Sequence, residues 1–193
     1  MHVPVKREIV SNASPAAHRL SQSSEGLVLV GGSAPRPGDA RIRAADGLDV
    51  RTAHLIPAAI EETLRYDPSV PVWRRITTRP VTLAGVNLPE GAKLFLWLAA
   101  AGRDPSVFHQ PGQFDPARPN AAQHLAFGLG LHYCLGANLG KLETRLVLEE
   151  LARRYPRLRL SGGQQLSFHP NISFRGPQQL RVRTAQQQDA PAN

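Results

Sequence analysis

The sequence predicts a mainly α protein with small β-sheets, an α+β fold. Three observations lead there. Apolar residues recur at helical spacing in two stretches, one from Ile56 to Tyr66 and one that begins just after Cys134. Short alternating segments broken by Gly and Pro lie at 72–98 and 158–182. The one cysteine of the chain, Cys134, sits in a glycine-rich loop at the entrance to the second helix.

Residues 1–45 carry little regular pattern, and Pro35-Arg36-Pro37-Gly38-Asp39 punctuates them strongly. Leu27-Val28-Leu29-Val30 predicts a short strand. The Gly31-Gly32-Ser33 after it is not a phosphate loop, because no Gly-Lys-Ser/Thr or spaced glycine fingerprint follows. Residues 1–49 are expected to be a poorly ordered or unrelated leader.

The helix over 56–66 has Pro57 in its first turn, where a missing N–H costs nothing. Ile60 and Leu64 share a face, and Asp67-Pro68 ends the helix because a residue before proline avoids helical geometry. Glu62 and Arg65 stand three apart and can meet on one side; the ordinary reading of that spacing is a solvated surface pair. Next, Val72, Arg74 and Ile76 alternate with Trp73, Arg75 and Thr77. Val81-Thr82-Leu83 follows, Leu88-Pro89-Glu90-Gly91 reads as a turn, and 93–98 is a further strand candidate. Beyond the cysteine, leucines at 135, 139, 142 and 146 predict an amphipathic helix with one buried face, running to Tyr155 and stopped by Pro156. Lys141, Arg145, Arg153 and Arg154 place positive charge on its remaining surface. Leu158-Arg159-Leu160, Leu166-Ser167-Phe168 and Leu180-Arg181-Val182 are β-like, and 185–193 reads as a disordered tail.

The chain of 193 residues is long enough for a domain with a real core, and 41% hydrophobic content argues against overall disorder. Lys and Arg number 23 against 15 Asp and Glu, a formal net charge of +8 that favours acidic partners. The basic residues are scattered and no nucleic-acid motif accompanies them, so an acidic electron-transfer protein is the better candidate and nucleic acid is not expected. One cysteine excludes an intramolecular disulfide and suits a reducing cytoplasm. No apolar signal core follows Met1-His2-Val3-Pro4-Val5-Lys6-Arg7, and the longest apolar run, 94–101, is too short to span a bilayer. A soluble cytoplasmic protein without membrane contact is expected.

The loop 127–136 concentrates the chemistry. A lone Cys is ordinarily a small buried hydrophobe. Here glycines flank it, which permits sharp bends and close approach of a flat ligand. A helix begins right after it, and a thiolate at a helix N-terminus is stabilised by free N–H groups and the positive end of the dipole. The loop therefore reads as one that presents a sulfur to something electropositive, a metal above all.

The pattern Phe127-x-x-Gly130-x-His132-x-Cys134-x-Gly136 resembles the haem-binding loop of bacterial cytochromes P450. Other segments are similar to the same family. Glu62-x-x-Arg65 resembles its Glu-x-x-Arg motif. Ala101-Gly102-Arg103-Asp104-Pro105 is similar to its Ala-Asn-Arg-Asp-Pro, with Gly102 where Asn is usual. Phe114-Asp115-Pro116-Ala117-Arg118 resembles its meander. The likeness covers about residues 50–184. It implies the C-terminal portion of a cytochrome P450 fold, lacking the N-terminal helices and the long central distal helix. No Ala/Gly-Gly-x-Asp/Glu-Thr pattern precedes Ile56, so no catalytic residue for oxygen protonation is assigned.

What the resemblance implies is specific. Haem b is the cofactor and Cys134 the iron ligand, a ligation that favours O–O cleavage. Phe127 packs beside the sulfur, and Gly128 and Gly136 allow the backbone near the porphyrin. Arg75 and His132 pair with haem propionates. Glu62, Arg65 and Arg118 form a buried structural lock that fixes geometry more than it adds stability. Val72, Trp73, Ile172 and Ser173 fall where relatives line the substrate pocket. The implied activity is that of a haem-thiolate monooxygenase inserting one atom of O2 into a small organic substrate. Its electrons come from an acidic ferredoxin-type donor that meets the Cys134 loop and the following helix, where Gly140-Lys141 departs from the usual Ala-Arg. The chain is expected to be truncated. The alternative is a non-catalytic remnant or a half-protein needing a separate partner for the distal pocket.

Overall fold

The computed structural model describes residues 28–30 and 54–184. The leader expected over the rest of 1–49, and the tail expected over 185–193, lie outside the described residues. Helix α1 spans Ile56–Tyr66 with Pro57 in its first turn, and Asp67 closes it by donating its N–H to the Thr63 carbonyl at 2.9 Å. Two segments pack against it, a 3-10 turn at Ala121–Gln123 and helix α3, Ala137–Arg154.

The β-structure comes in three small sheets. Strand β1, Val28–Val30, pairs in parallel with β5, Lys93–Leu96, which pairs antiparallel with β2, Trp73–Ile76. The tetrapeptide 27–30 thus carries the strand that its run of branched residues predicts. Strands β3, Val81–Leu83, and β4, Val86–Leu88, form a hairpin closed by Ala84 and Gly85, both at positive φ as a two-residue hairpin turn requires. The turn predicted over Leu88-Pro89-Glu90-Gly91 begins on the last residue of β4, a strand not predicted above although an Ala-Gly pair between two alternating triplets, Val81-Thr82-Leu83 and Val86-Asn87-Leu88, carries the signal. Strand β6, Arg159–Leu160, pairs with β7, Val182–Arg183. The segment 166–168 contributes one bridge, Phe168 to Pro177, in place of a strand.

Two expectations need correction. The strand over 93–98 ends at Leu96, and Leu98–Ala101 form the short helix α2, because a run of alanines favours helix and Ala99 N–H is already committed to the Pro71 carbonyl at 3.0 Å. The leucine face of α3 is not buried: Leu139, Leu142 and Leu146 are 59%, 50% and 55% exposed, and Leu135 before the helix is fully exposed. The residues that α3 buries are Ala137 and Ala152, which lie on a different stripe.

The buried apolar side chains are spread over α1, the segment after it, α2 and the chain that follows. Ile56, Ile60, Val72, Ala99, Ala100 and Phe108 are buried, and Leu88 and Leu94 form a cluster with Val81, Val86 and Ala92 at the β3–β4 hairpin. Gly102 is packed against α1: a Cβ at this position would lie 2.2 Å from the Arg65 carbonyl oxygen, so this chain closes there as only glycine permits.

Candidate functional site

Glu62 points into the molecule and is completely buried, as is Arg65; Arg118 is 8% exposed. The Arg65 fork meets the carboxylate through two bonds, Nε to Oε2 at 2.6 Å and Nη2 to Oε1 at 2.7 Å. Arg118 Nε donates to both oxygens at 3.1 and 3.2 Å, and Asp115 N–H donates to Oε1 at 2.8 Å. The spare guanidinium donors reach carbonyls of the meander. Arg65 bonds Gly102, Pro111 and Gln113, and Arg118 bonds His109, Gln110 and Gln113. Burial opposes ionisation of Glu62, yet the bonds from Arg65, Asp115 and Arg118 outweigh it and hold the carboxyl below its usual range. The charge is fully coordinated, so the burial is tolerable.

The loop of Cys134 is shaped by its backbone. Gly128 and Gly130 take φ of +75° and +73°, values that an L side chain rarely adopts. Gly128 N–H donates to the Leu125 carbonyl at 2.8 Å, Tyr133 N–H to Gly130 at 3.0 Å and Cys134 N–H to Phe127 at 2.9 Å. Gly136 caps α3, and a Cβ added to it would stand 3.8 Å from Cys134 Sγ. Cys134 is an exposed free thiol, which sets aside the buried-hydrophobe reading.

The sulfur opens onto a cavity of about 1040 Å³. Ile60 and Leu64 of α1 form one wall, Trp73 and Arg75 of β2 another, and Phe127, Gly128 and Cys134 a third; Gly140 and Lys141 of α3 also contribute. The walls are mostly apolar, with two cations among them, Arg75 and Lys141. This donor set fits a flat iron porphyrin: one soft sulfur, an apolar cradle with glycine in its wall, and a guanidinium suited to a carboxylate. Trp97 also lines the cavity, and its Nε1 is the buried side-chain atom without a hydrogen-bond partner among the described residues.

Several predicted site residues fall elsewhere. Val72 is buried in the core and does not line the cavity, because neighbouring residues of an extended chain face opposite ways and Trp73 takes the cavity side. At 172–174 it is Phe174, not Ile172 or Ser173, that reaches the cavity. His132 is exposed on its 3-10 turn, Gly130–His132, and is not among the lining residues. The expected positive face of α3 is paired internally: Arg145 with Glu149 at 2.6 Å, and Arg153 and Arg154 both with Glu150, whose carboxyl these arginines lower to about 2. Sequence reasoning missed His124, which is buried and bonded through Nε2 to Glu61 Oε2 at 3.1 Å. No feature of the sequence marked it.

The comparisons with known proteins agree with this geometry. A sequence profile of the cytochrome P450 family matches residues 43–178. A putative cytochrome P450 126 of Mycobacterium tuberculosis is 47% identical over 107 residues, which are 55% of this chain and 25% of that protein. The erythromycin C-12 hydroxylase of Saccharopolyspora erythraea is 44% identical over 128 residues, 66% of this chain and 32% of that protein. The crystal structure of a P450 haem domain from Acinetobacter radioresistens matches at a TM-score of 0.68 with 41% identity, over 70% of this chain and 32% of that one. The chain thus spans about a quarter to a third of the length of the curated relatives it matches.

Proposed function

The chain belongs to the cytochrome P450 family, and on that premise we propose that its cavity takes haem b with Cys134 as the thiolate ligand of the iron. The observation that carries this reading is the exposed Cys134 sulfur on the wall of an apolar cavity, at the end of a loop that its own backbone bonds hold closed. The bound group would supply oxygen activation, and the thiolate's electron donation favours O–O cleavage. The reaction would insert one atom of O2 into a small organic substrate, of which the hydroxylation named for the erythromycin enzyme is one form.

The chain's own residues would divide the remaining tasks. Cys134 Sγ, three residues before α3, would supply the sulfur ligand from the N-terminal end of that helix. Arg75, on the cavity wall, would pair with a haem propionate. His132, exposed on its 3-10 turn, would serve a propionate. Trp73 and Phe174 would meet the substrate. The Glu62–Arg65–Arg118 lock would keep the meander, and the loop after it, in register with α1. An acidic ferredoxin-type donor and a cytoplasmic location belong to the same reading. The donor's support is the net charge of +8, since the α3 arginines are paired on their own helix.

A carbon monoxide difference spectrum of the reduced, haem-loaded chain tests the ligand. The thiolate-type Soret band is expected in the native chain and lost in Cys134→Ala; its absence from both sinks the reading. A second reading, a half-protein that acts only with a separate polypeptide, is favoured by the exposed leucines of α3, an apolar face larger than scattered surface residues explain. Band formation by the chain alone would exclude any need for that partner in haem ligation.

A further inference from the structure

Glu61 neighbours the lock residue Glu62, but its carboxylate faces the cysteine loop. Oε2 meets His124 Nε2 at 3.1 Å, and Oε1 meets Lys141 Nζ at 2.7 Å. His124 Nδ1 accepts the Ala126 N–H at 3.1 Å, so the ring proton is on Nε2 and is donated to Glu61. His124 stands before the loop and Lys141 stands after it, in the second turn of α3. One carboxylate on α1 therefore grips both ends of the segment that carries the sulfur. Phe127 lies between the two grips, its ring 6.0 Å from that of His124 and 5.6 Å from the Lys141 ammonium, centroid distances within stacking and cation–π range. The Phe127 carbonyl receives the Cys134 N–H at 2.9 Å.

We infer that Glu61, His124 and Lys141 are positioning residues, a clamp that fixes Phe127 and through it the place of Cys134. Pinning both ends removes conformational freedom from the intervening chain and adds to the loop's own backbone bonds. Lysine at 141 suits the arrangement. A single ammonium takes one oxygen of Glu61 and leaves the other for His124, and the pair is only partly exposed, so water screens it less than a surface pair. The consequence for iron ligation rests on the haem-thiolate reading; the clamp itself does not.

The test is amide hydrogen exchange on the full chain without haem, read at the amides of Gly128, Tyr133 and Cys134. Lys141→Met and Glu61→Gln should each speed exchange at Cys134 by about tenfold, with no further gain in the double variant, because local opening is set by the clamp. Lys141→Arg, which keeps the charge, should stay near the native rate. Native exchange in Lys141→Met, or full additivity in the double variant, overturns the inference. On the haem-loaded chain the same Lys141→Met change should lower the thiolate share of the carbon monoxide spectrum. A native chain without that band defeats the haem reading, while the exchange rates still decide the clamp.

Discussion

Glu62 and His124 are the two buried titratable groups whose ionisation the fold alters most clearly, and they respond to pH in the same sense. Glu62 stays charged because two guanidinium groups and a backbone N–H surround it. Removing the carboxylate in Glu62→Ala leaves Arg65 and Arg118 buried and uncompensated, so thermal or urea denaturation should show a loss of about 3–5 kcal/mol. Native stability in that variant would mean that the lock is energetically idle. Burial lowers the affinity of His124 for a proton and the Glu61 carboxylate only partly opposes this, so its folded pKa lies below the ordinary 6.5. A depressed folded pKa means that the unfolded chain binds the proton better. The stability this contributes is full above 6.5 and is lost as pH falls through the folded value. Melting temperature should therefore fall between neutral and mildly acidic pH, and the slope should flatten in His124→Phe. Protonation would also forfeit the Nδ1 acceptor used by Ala126.

At the scale of elements, α1 and α3 behave differently from what their patterns suggest. In α1 the apolar stripe faces inward and Ile60 and Leu64 line the cavity, as helical periodicity implies. In α3 the stripe of leucines faces water and a second stripe, Ala137 and Ala152, faces the protein. Substituting Leu139, Leu142 and Leu146 together by Gln should leave the melting temperature unchanged and raise solubility, since none of them is buried among the described residues. A fall of several degrees in a circular-dichroism melt would show that this face is covered in solution. The β3–β4 hairpin turns at Ala84 with φ of +45°, a strained value for a residue with a Cβ. Ala84→Gly should relieve that strain and stabilise by up to about 1 kcal/mol, measured by the same melt.

For the whole molecule, the sequence carried the fold class, both main helices, most strands and the cysteine loop, because periodicity, proline and glycine act over a few residues. It also carried the residues of the lock and the likeness to cytochromes P450. What it could not carry is which way a residue faces once distant segments meet. Val72 and Trp73 are adjacent, yet one is core and the other cavity wall. His124 gains its partner from Glu61, 63 residues away. The clearest case is a spacing that occurs twice. Glu62-x-x-Arg65 and Glu150-x-x-Arg153 both form the expected ion pair. One is wholly buried and bonded to the meander; the other is exposed on α3 with its partners on the same helix. Spacing along a helix determines that the two side chains meet, which is a local matter. Whether the pair is desolvated depends on what packs over it, and only the tertiary structure brings Arg118 and the carbonyls of 102–113 onto Glu62 and Arg65.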